Sequence, residues 1–325
     1  TRWLCDILVT LAKYTAEIPG NYMSFPESNI VNVAILCFVL ACLLRCKVKK
    51  FTPFFEPAVF ICAMAVMLSA PIISYVPQNK AEVTFLNIEQ GDCAIIRMAD
   101  HKTVIVDTGT ESMCLNELLP YLERKNTLKI DALIISHGDN DHSGGAKLLT
   151  TLMPVDRVVT SRFYEPEVPI ANCFKYEKGE KFSIGSADFE ILSPGIDYKN
   201  DNDNSLVVRM DFGKSSFLFT GDAGEDVEKD LETIDADVLK VSHHGAKTAS
   251  GEEFLKKVSP KYSVISVDKN NSYGHPDETV LKRLKNESEQ VFRTDRDKTI
   301  TITADLNGNL KLTKRLKRFI IFDRK

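Results

Sequence analysis

Across its 325 residues the chain has no internal repeat and no low-complexity tract, which excludes solenoid and repeat-array architectures. It lacks a disulfide framework. Five of its eight cysteines (Cys5, Cys37, Cys42, Cys46, Cys62) fall in the first 80 residues, mostly inside apolar runs where a thiol behaves as a small hydrophobe. Cys93, Cys114 and Cys173 remain, and two of them could bridge in an oxidising compartment. The charged start, short apolar core and cleavage site of a secretory leader are missing, and with Thr1 as first residue the expectation is an excerpt of a longer protein. Excess positive charge is also missing. Residues 81–325 carry 34 basic and 41 acidic side chains, a net of −7, which opposes a broad phosphate-binding surface. Histidine is scarce, at six residues, so the places where it occurs carry information.

Long apolar runs are present, and only near the start. Leu4–Ala16 repeats apolar residues at helical spacing, and Asn21–Ser28 is turn material. Ile30–Leu44 has Asn32 as its one polar residue and Ala58–Val76 has no charge, so two transmembrane helices are expected within residues 29–78, with a pair of buried helices as the alternative. Arg45, Lys47, Lys49 and Lys50 lie between them. A short loop with that much positive charge stays cytoplasmic, which would put the chain after Val76 on the extracytoplasmic side of a multi-pass cell-membrane protein.

From residue 79 the pattern changes to short β-rich runs, among them Val83–Ile88, Ala94–Met98, Thr103–Val106, Ala132–Ile135, Leu206–Met210, Ser216–Thr220, Val238–Val241 and Tyr262–Val267. Helical spacing appears at Leu115–Glu123, Lys147–Leu152, Glu225–Leu231, Glu253–Val258 and Glu278–Leu284. The mixture predicts two sheets face to face with helices outside over residues 79–312. A basic tail follows at 313–325. From Lys311 onward there are seven basic residues, which suit a membrane surface, solvent or nucleic acid.

Five of the six histidines sit just past apolar runs or in glycine-rich turns. The run Ala132–Ile135 stops at Ser136-His137-Gly138-Asp139-Asn140-Asp141-His142, four potential metal ligands in six positions at a strand end. Ser216–Thr220 runs into Gly221-Asp222, and a carboxylate there can bridge two cations, one on each oxygen. Val238–Ser242 runs into His243-His244-Gly245, and His275 stands in the turn Asn271–Pro276. Taken singly, Asp222 could be a turn residue and His275 a structural turn histidine. Repetition at strand ends favours one shared site.

These motifs resemble those of the metallo-β-lactamase superfamily, whose fold is a four-layered αββα sandwich. Gln90-Gly91-Asp92, Asp107-Thr108-Gly109, Asn204-Ser205-Leu206-Val207, Tyr273-Gly274-His275-Pro276 and Arg293-Thr294-Asp295 resemble the C-terminal part of the ComEC family of DNA-uptake competence channels. Residues 1–28 would then end the membrane competence domain. The resemblance implies two divalent metal ions, Zn or Mn, and hydrolysis of a phosphodiester. It implies His137 and Asp139 on one ion, helped by the Asp201–Asn204 loop, with Asp141, His142 and His243 on the other and Asp222 as bridge; His244 competes with His243. Asp139 stands where the superfamily usually has histidine, and this oxygen-rich set tilts the choice towards manganese or a mixed pair. Catalytic roles fall to Asp141 and His275. Asp92, Asn204 and Lys240 or Lys247 are expected to line the substrate pocket. The implied partners are DNA, the membrane and the uptake machinery. The implied function is a nuclease for the non-transported strand during natural transformation; a non-cleaving guide for DNA and a small-molecule hydrolase sharing the fold are the alternatives.

Overall fold

The structure, a computed structural model, describes residues 79–314 apart from 99, 167–169 and 233. The two expected membrane spans and most of the basic tail lie outside the described residues. Among the described residues no helix is long and apolar enough to cross a membrane.

Two sheets carry the fold. The first contains β1 (Lys80–Phe85), β2 (Ala94–Met98), β3 (Thr103–Val106), β4 (Ala132–Ile135), β5 (Val158–Ser161), β6 (Cys173–Tyr176), β14 (Ile300–Asp305) and β15 (Leu310–Lys314), in the order β15-β14-β1-β2-β3-β4-β5-β6. The second contains β7 (Lys181–Ile184), β8 (Ala187–Ser193), β9 (Val207–Phe212), β10 (Ser215–Phe219), β11 (Val238–Lys240), β12 (Tyr262–Ile265) and β13 (Gln290–Arg293), in the order β13-β12-β11-β10-β9-β8-β7. Each sheet is antiparallel on one side and parallel on the other. The parallel pairs are β3 with β4, β4 with β5 and β5 with β6, then β10 with β11, β11 with β12 and β12 with β13.

Strand periodicity sorts the apolar side chains between layers. Ile96, Val104, Ile134, Phe189, Met210, Phe217 and Phe219 point between the sheets and form the main core. Their neighbours Val207, Leu218, Leu239 and Ile265 point the other way, onto Val227, Phe254, Leu255, Val280 and Leu284 of the helices Glu225–Asp230, Glu252–Val258 and Glu278–Glu287. The outward-facing Ile95, Ile105 and Leu133 of the first sheet are buried too. Thr84 on that face hydrogen-bonds the hydroxyl of Tyr121, in the helix Leu119–Arg124. Burial of each large apolar side chain stabilises by about 1.5–3 kcal/mol, so loss of Phe189 from the middle layer would cost about 3–5 kcal/mol.

Two sequence expectations change here. β6, β7, β13 and β15 are strands that apolar patterning does not announce, and β15 extends through residues 313 and 314, which the sequence assigns to the tail. Cys93, Cys114 and Cys173 are free thiols.

Candidate metal centre

The carboxyl ends of parallel strands from both sheets meet at one place, as ligand sites in α/β sheets generally do. β3 delivers Asp107, β4 delivers Ser136 to His142, β10 delivers Thr220 to Asp222, and β11 delivers Val241 to His244. Two glycines let the loops approach. Gly221 has φ +53°, and a Cβ there would lie 2.9 Å from the side chains of both Ser136 and Ser205, so only glycine fits where the loops of the two sheets touch. A Cβ on Gly91 would stand 2.3 Å from the carbonyl oxygen of Asp141; with Cβ absent, the Asp92 amide donates to that oxygen at 3.1 Å.

Three buried imidazoles share one pattern. His142 Nδ1 lies 3.0 Å from a carboxylate oxygen of Asp107 and must donate to it. His244 Nδ1 lies 3.0 Å from the carbonyl of Ser266 and must donate likewise. Ser136 Oγ donates to Asp107 at 2.7 Å, so it accepts from His137 Nδ1 at 3.0 Å. Each ring, when neutral, therefore presents a lone pair at Nε2. All three Nε2 atoms, together with Asp222 Oδ1, are buried and without a hydrogen-bond partner. They converge. His142 Nε2 lies 3.2 Å from Asp222 Oδ1, and Asp222 Oδ2 lies 3.8 Å from His244 Nε2 and 4.0 Å from His137 Nε2. His244 Nε2 is 3.4 Å from Asp141 Oδ2, and His137 Nε2 is 3.6 Å from Asp139 Oδ2.

Lone pairs facing lone pairs repel unless a cation lies between them. Two donors each about 2.1 Å from one ion at a tetrahedral angle stand roughly 3.4 Å apart, which is the separation seen here. The residues thus fit divalent metal, with Asp141, His142 and His244 in one donor group and His137, His142 and Asp222 in another. A third group, Asp92, Asp107 and His142, has its cation already: the buried Lys240 ammonium sits 2.6 Å from Asp92.

The local charges report the same convergence. Burial pulls the His142 imidazole down, but the charge of Asp222 beside it and the bond to Asp107 raise it well above its ordinary value. Burial pushes the Asp222 carboxyl up, yet the surrounding His142, His244 and His137 hold it well below the carboxylate range. Asp141 is lowered, since the close approach of His244 and the charge of His142 outweigh its burial.

The structure separates the remaining assigned residues by position. The buried donor group uses His244, while His243 stays at the rim with its side chain 28% exposed and Nε2 3.7 Å from Asp222 Oδ2. The reason is backbone conformation: both residues are left-handed, at φ 48° and 53°, which turns the second ring inward. Asp92 and Lys240 pair with each other underneath His244 and do not line an open pocket; Asp92 Oδ1 is 3.5 Å from His244 Nδ1. The Asn204 amide is spent on the Tyr198 amide and Asp197, and Asp203 accepts from Gly224, so that loop braces the site from outside the donor groups. Lys247 is exposed, near enough to Asp277 to lower its carboxyl along with the Thr279 hydrogen bonds. His275 lies against His243, ring centroids 5.8 Å apart. Asp107 and Ser136 have orienting parts that sequence reading left unassigned. The signal for Asp107 was there, because it follows the apolar run Thr103–Val106 as Asp222 follows its own strand.

The family described as the Metallo-beta-lactamase superfamily matches residues 86–268. The chain is 33% identical over 255 residues to ComE operon protein 3 of Bacillus subtilis (strain 168), covering 68% of this chain and 33% of that protein. It is 32% identical over 242 residues to Competence protein ComA of Neisseria gonorrhoeae, covering 71% and 34%. It is 35% identical over 225 residues to Recombination protein 2 of Haemophilus influenzae (strain ATCC 51907 / DSM 11121 / KW20 / Rd), covering 66% and 27%. The chain thus spans about a third of the length of the curated relatives it matches.

Proposed function

This chain belongs to the metallo-beta-lactamase superfamily, and from that premise we propose that it is a metal-dependent phosphodiesterase that hydrolyses the non-transported DNA strand beside a membrane-bound uptake apparatus. The observation that carries this reading is the set of three buried, partnerless Nε2 lone pairs aimed at Asp222. His137 and Asp139 would hold one ion, Asp141, His142 and His244 the other, and Asp222 would bridge them. Bound there, two divalent ions supply Lewis acidity at a phosphoryl oxygen and a nucleophile at neutral pH. Three carboxylates and no thiolate in the set suit manganese or a zinc–manganese pair.

The chain's own residues do the rest. Asp107 fixes the His142 tautomer directly and the His137 tautomer through Ser136. His275 is lowered by burial and by the neighbouring His243 and His244, and its ring at the rim can hydrogen-bond a phosphoryl oxygen. Lys247 is the nearby exposed cation that could meet the substrate backbone. The competence relatives and the two apolar runs within residues 29–78 support placing this activity on a membrane protein, and the basic residues Arg45, Lys47, Lys49 and Lys50 between those runs favour the extracytoplasmic face for the domain.

The test is release of nucleotides from single-stranded DNA by the full chain with Mn²⁺ or Zn²⁺. Asp222→Ala should abolish it; a wild-type protein that binds two ions and releases nothing refutes the reading. One observation favours a second reading, a guide that binds DNA without cutting. The first ion's donors are sparse, with Asp139 half exposed and the Asp201–Asn204 loop occupied elsewhere. Elemental analysis separates the two, since a guide would carry one ion or none.

A further inference from the structure

Tyr273 is not used by the chemistry above, yet it stands at the edge of the site with 70% of its surface exposed. Single exposed apolar side chains are ordinary and need no purpose. This one differs in how it is held. One face of its ring lies on the His275 imidazole, centroids 5.8 Å apart and planes 16° from parallel. His275 meets His243 edge to face, and His243 Nε2 is 3.7 Å from Asp222. The turn beneath is braced: Asn271 accepts from the His275 amide at 3.0 Å and donates to the carbonyls of His275 and Asp268, each at 2.8 Å. The result is a fixed aromatic ring with one covered face and one open face, two ring contacts away from the bridging aspartate.

We propose that Tyr273 is a base-stacking residue that holds an unpaired base of the strand on the open face of its ring. The proposal rests on the phosphodiesterase reading and names a residue that grips its substrate. A net charge of −7 over residues 81–325 leaves little nonspecific attraction for phosphates, so much of the grip on a strand must come from the metal centre and from stacking. A π-face binds any base, which suits a sequence-tolerant enzyme. In a duplex the same base is already stacked and paired, so the ring selects single strands.

The experiment uses the full chain loaded with Mn²⁺, with Tyr273→Ala, Tyr273→Phe and Phe174→Ala, which removes another exposed aromatic from the edge strand β6. Affinity is measured by anisotropy on cleavage-resistant phosphorothioate oligothymidylate, on an abasic strand of equal length and on a duplex. KM and kcat are measured on cleavable strands. Tyr273→Ala should weaken oligothymidylate binding by about 5- to 100-fold, chiefly in KM, and leave abasic and duplex binding unchanged. Tyr273→Phe and Phe174→Ala should match the wild type. Equal wild-type affinity for based and abasic strands, or an unaffected Tyr273→Ala protein, overturns the stacking role and leaves the phosphodiesterase reading intact. Failure of the wild type to cleave any strand overturns the reading beneath both.

Discussion

His142 and His244 lie sealed at the floor of the centre, while His243 and His275 lie at its rim, although successive rings along this series are only 5.4, 6.3 and 5.8 Å apart. The floor rings have Nδ1 pinned by Asp107 and the Ser266 carbonyl, which fixes both tautomer and direction. The rim rings touch each other edge to face and reach solvent. A neighbouring pair of identical residues, His243 and His244, is thereby split between the buried donor group and the rim. Burial with an anchored Nδ1 presents His244 as a donor; the same side chain one residue earlier is half-buried at the edge.

The widest separation should come from truncating each member of that pair. His244→Ala should weaken binding of the second ion by more than about 100-fold, and His243→Ala by less than about 10-fold, as read by titration calorimetry with Mn²⁺. Equal losses would erase the distinction between floor and rim. A smaller effect is expected from Asp107→Asn. It keeps the shape but removes the carboxylate that orients two imidazoles, and metal affinity should fall by about 10- to 100-fold.

A separate effect, on stability and not on metal affinity, concerns burial without a cation partner. Glu228 is a buried carboxyl whose oxygens accept from the Ser250 and Gly251 amides at 2.5 and 2.8 Å. Burial pushes it up to about 7, against the downward pull of those amides, whereas Asp222, equally buried among imidazoles, is pushed down. The folded protein therefore keeps a proton on Glu228 that the unfolded chain loses above about 4.5. Its contribution to stability is fully present below about pH 4.5 and is lost as pH rises to about 7, on the order of 2–3 kcal/mol. Melting curves at pH 5 and pH 8 should show this loss in the wild type beyond that in Glu228→Gln. Parallel curves would mean that the amides alone satisfy the charge.

Much of this organisation is legible in the sequence, for a physical reason. Strands buried on both faces, such as Ala132–Ile135, are continuous apolar runs that stop where polar loops begin, so the ligand-bearing loops announce themselves. Edge strands do not. Cys173–Tyr176 is exposed or half-buried and follows no clean alternation, Lys181–Ile184 alternates over only four residues, and Leu310–Lys314 carries two lysines in five residues, a composition that also suits a solvated tail. Within the site, residue types are readable but pairings are not. Lys240 reads as a pocket cation until Asp92 is found beneath the same imidazole. The choice between His243 and His244 rests on two successive left-handed residues that neither imidazole favours by itself.

Contact between the loops of the two sheets at Gly221 carries one more consequence. The Leu206 amide donates to the Ser136 carbonyl at 2.8 Å, and Gly221 abuts both Ser136 and Ser205, so the donors span a joint between halves of the fold. An ion captured by His137 and Asp222 would act as a clasp across that joint, absent from the unfolded chain. The resistance of the whole sandwich to melting would then rise and fall with the supply of metal.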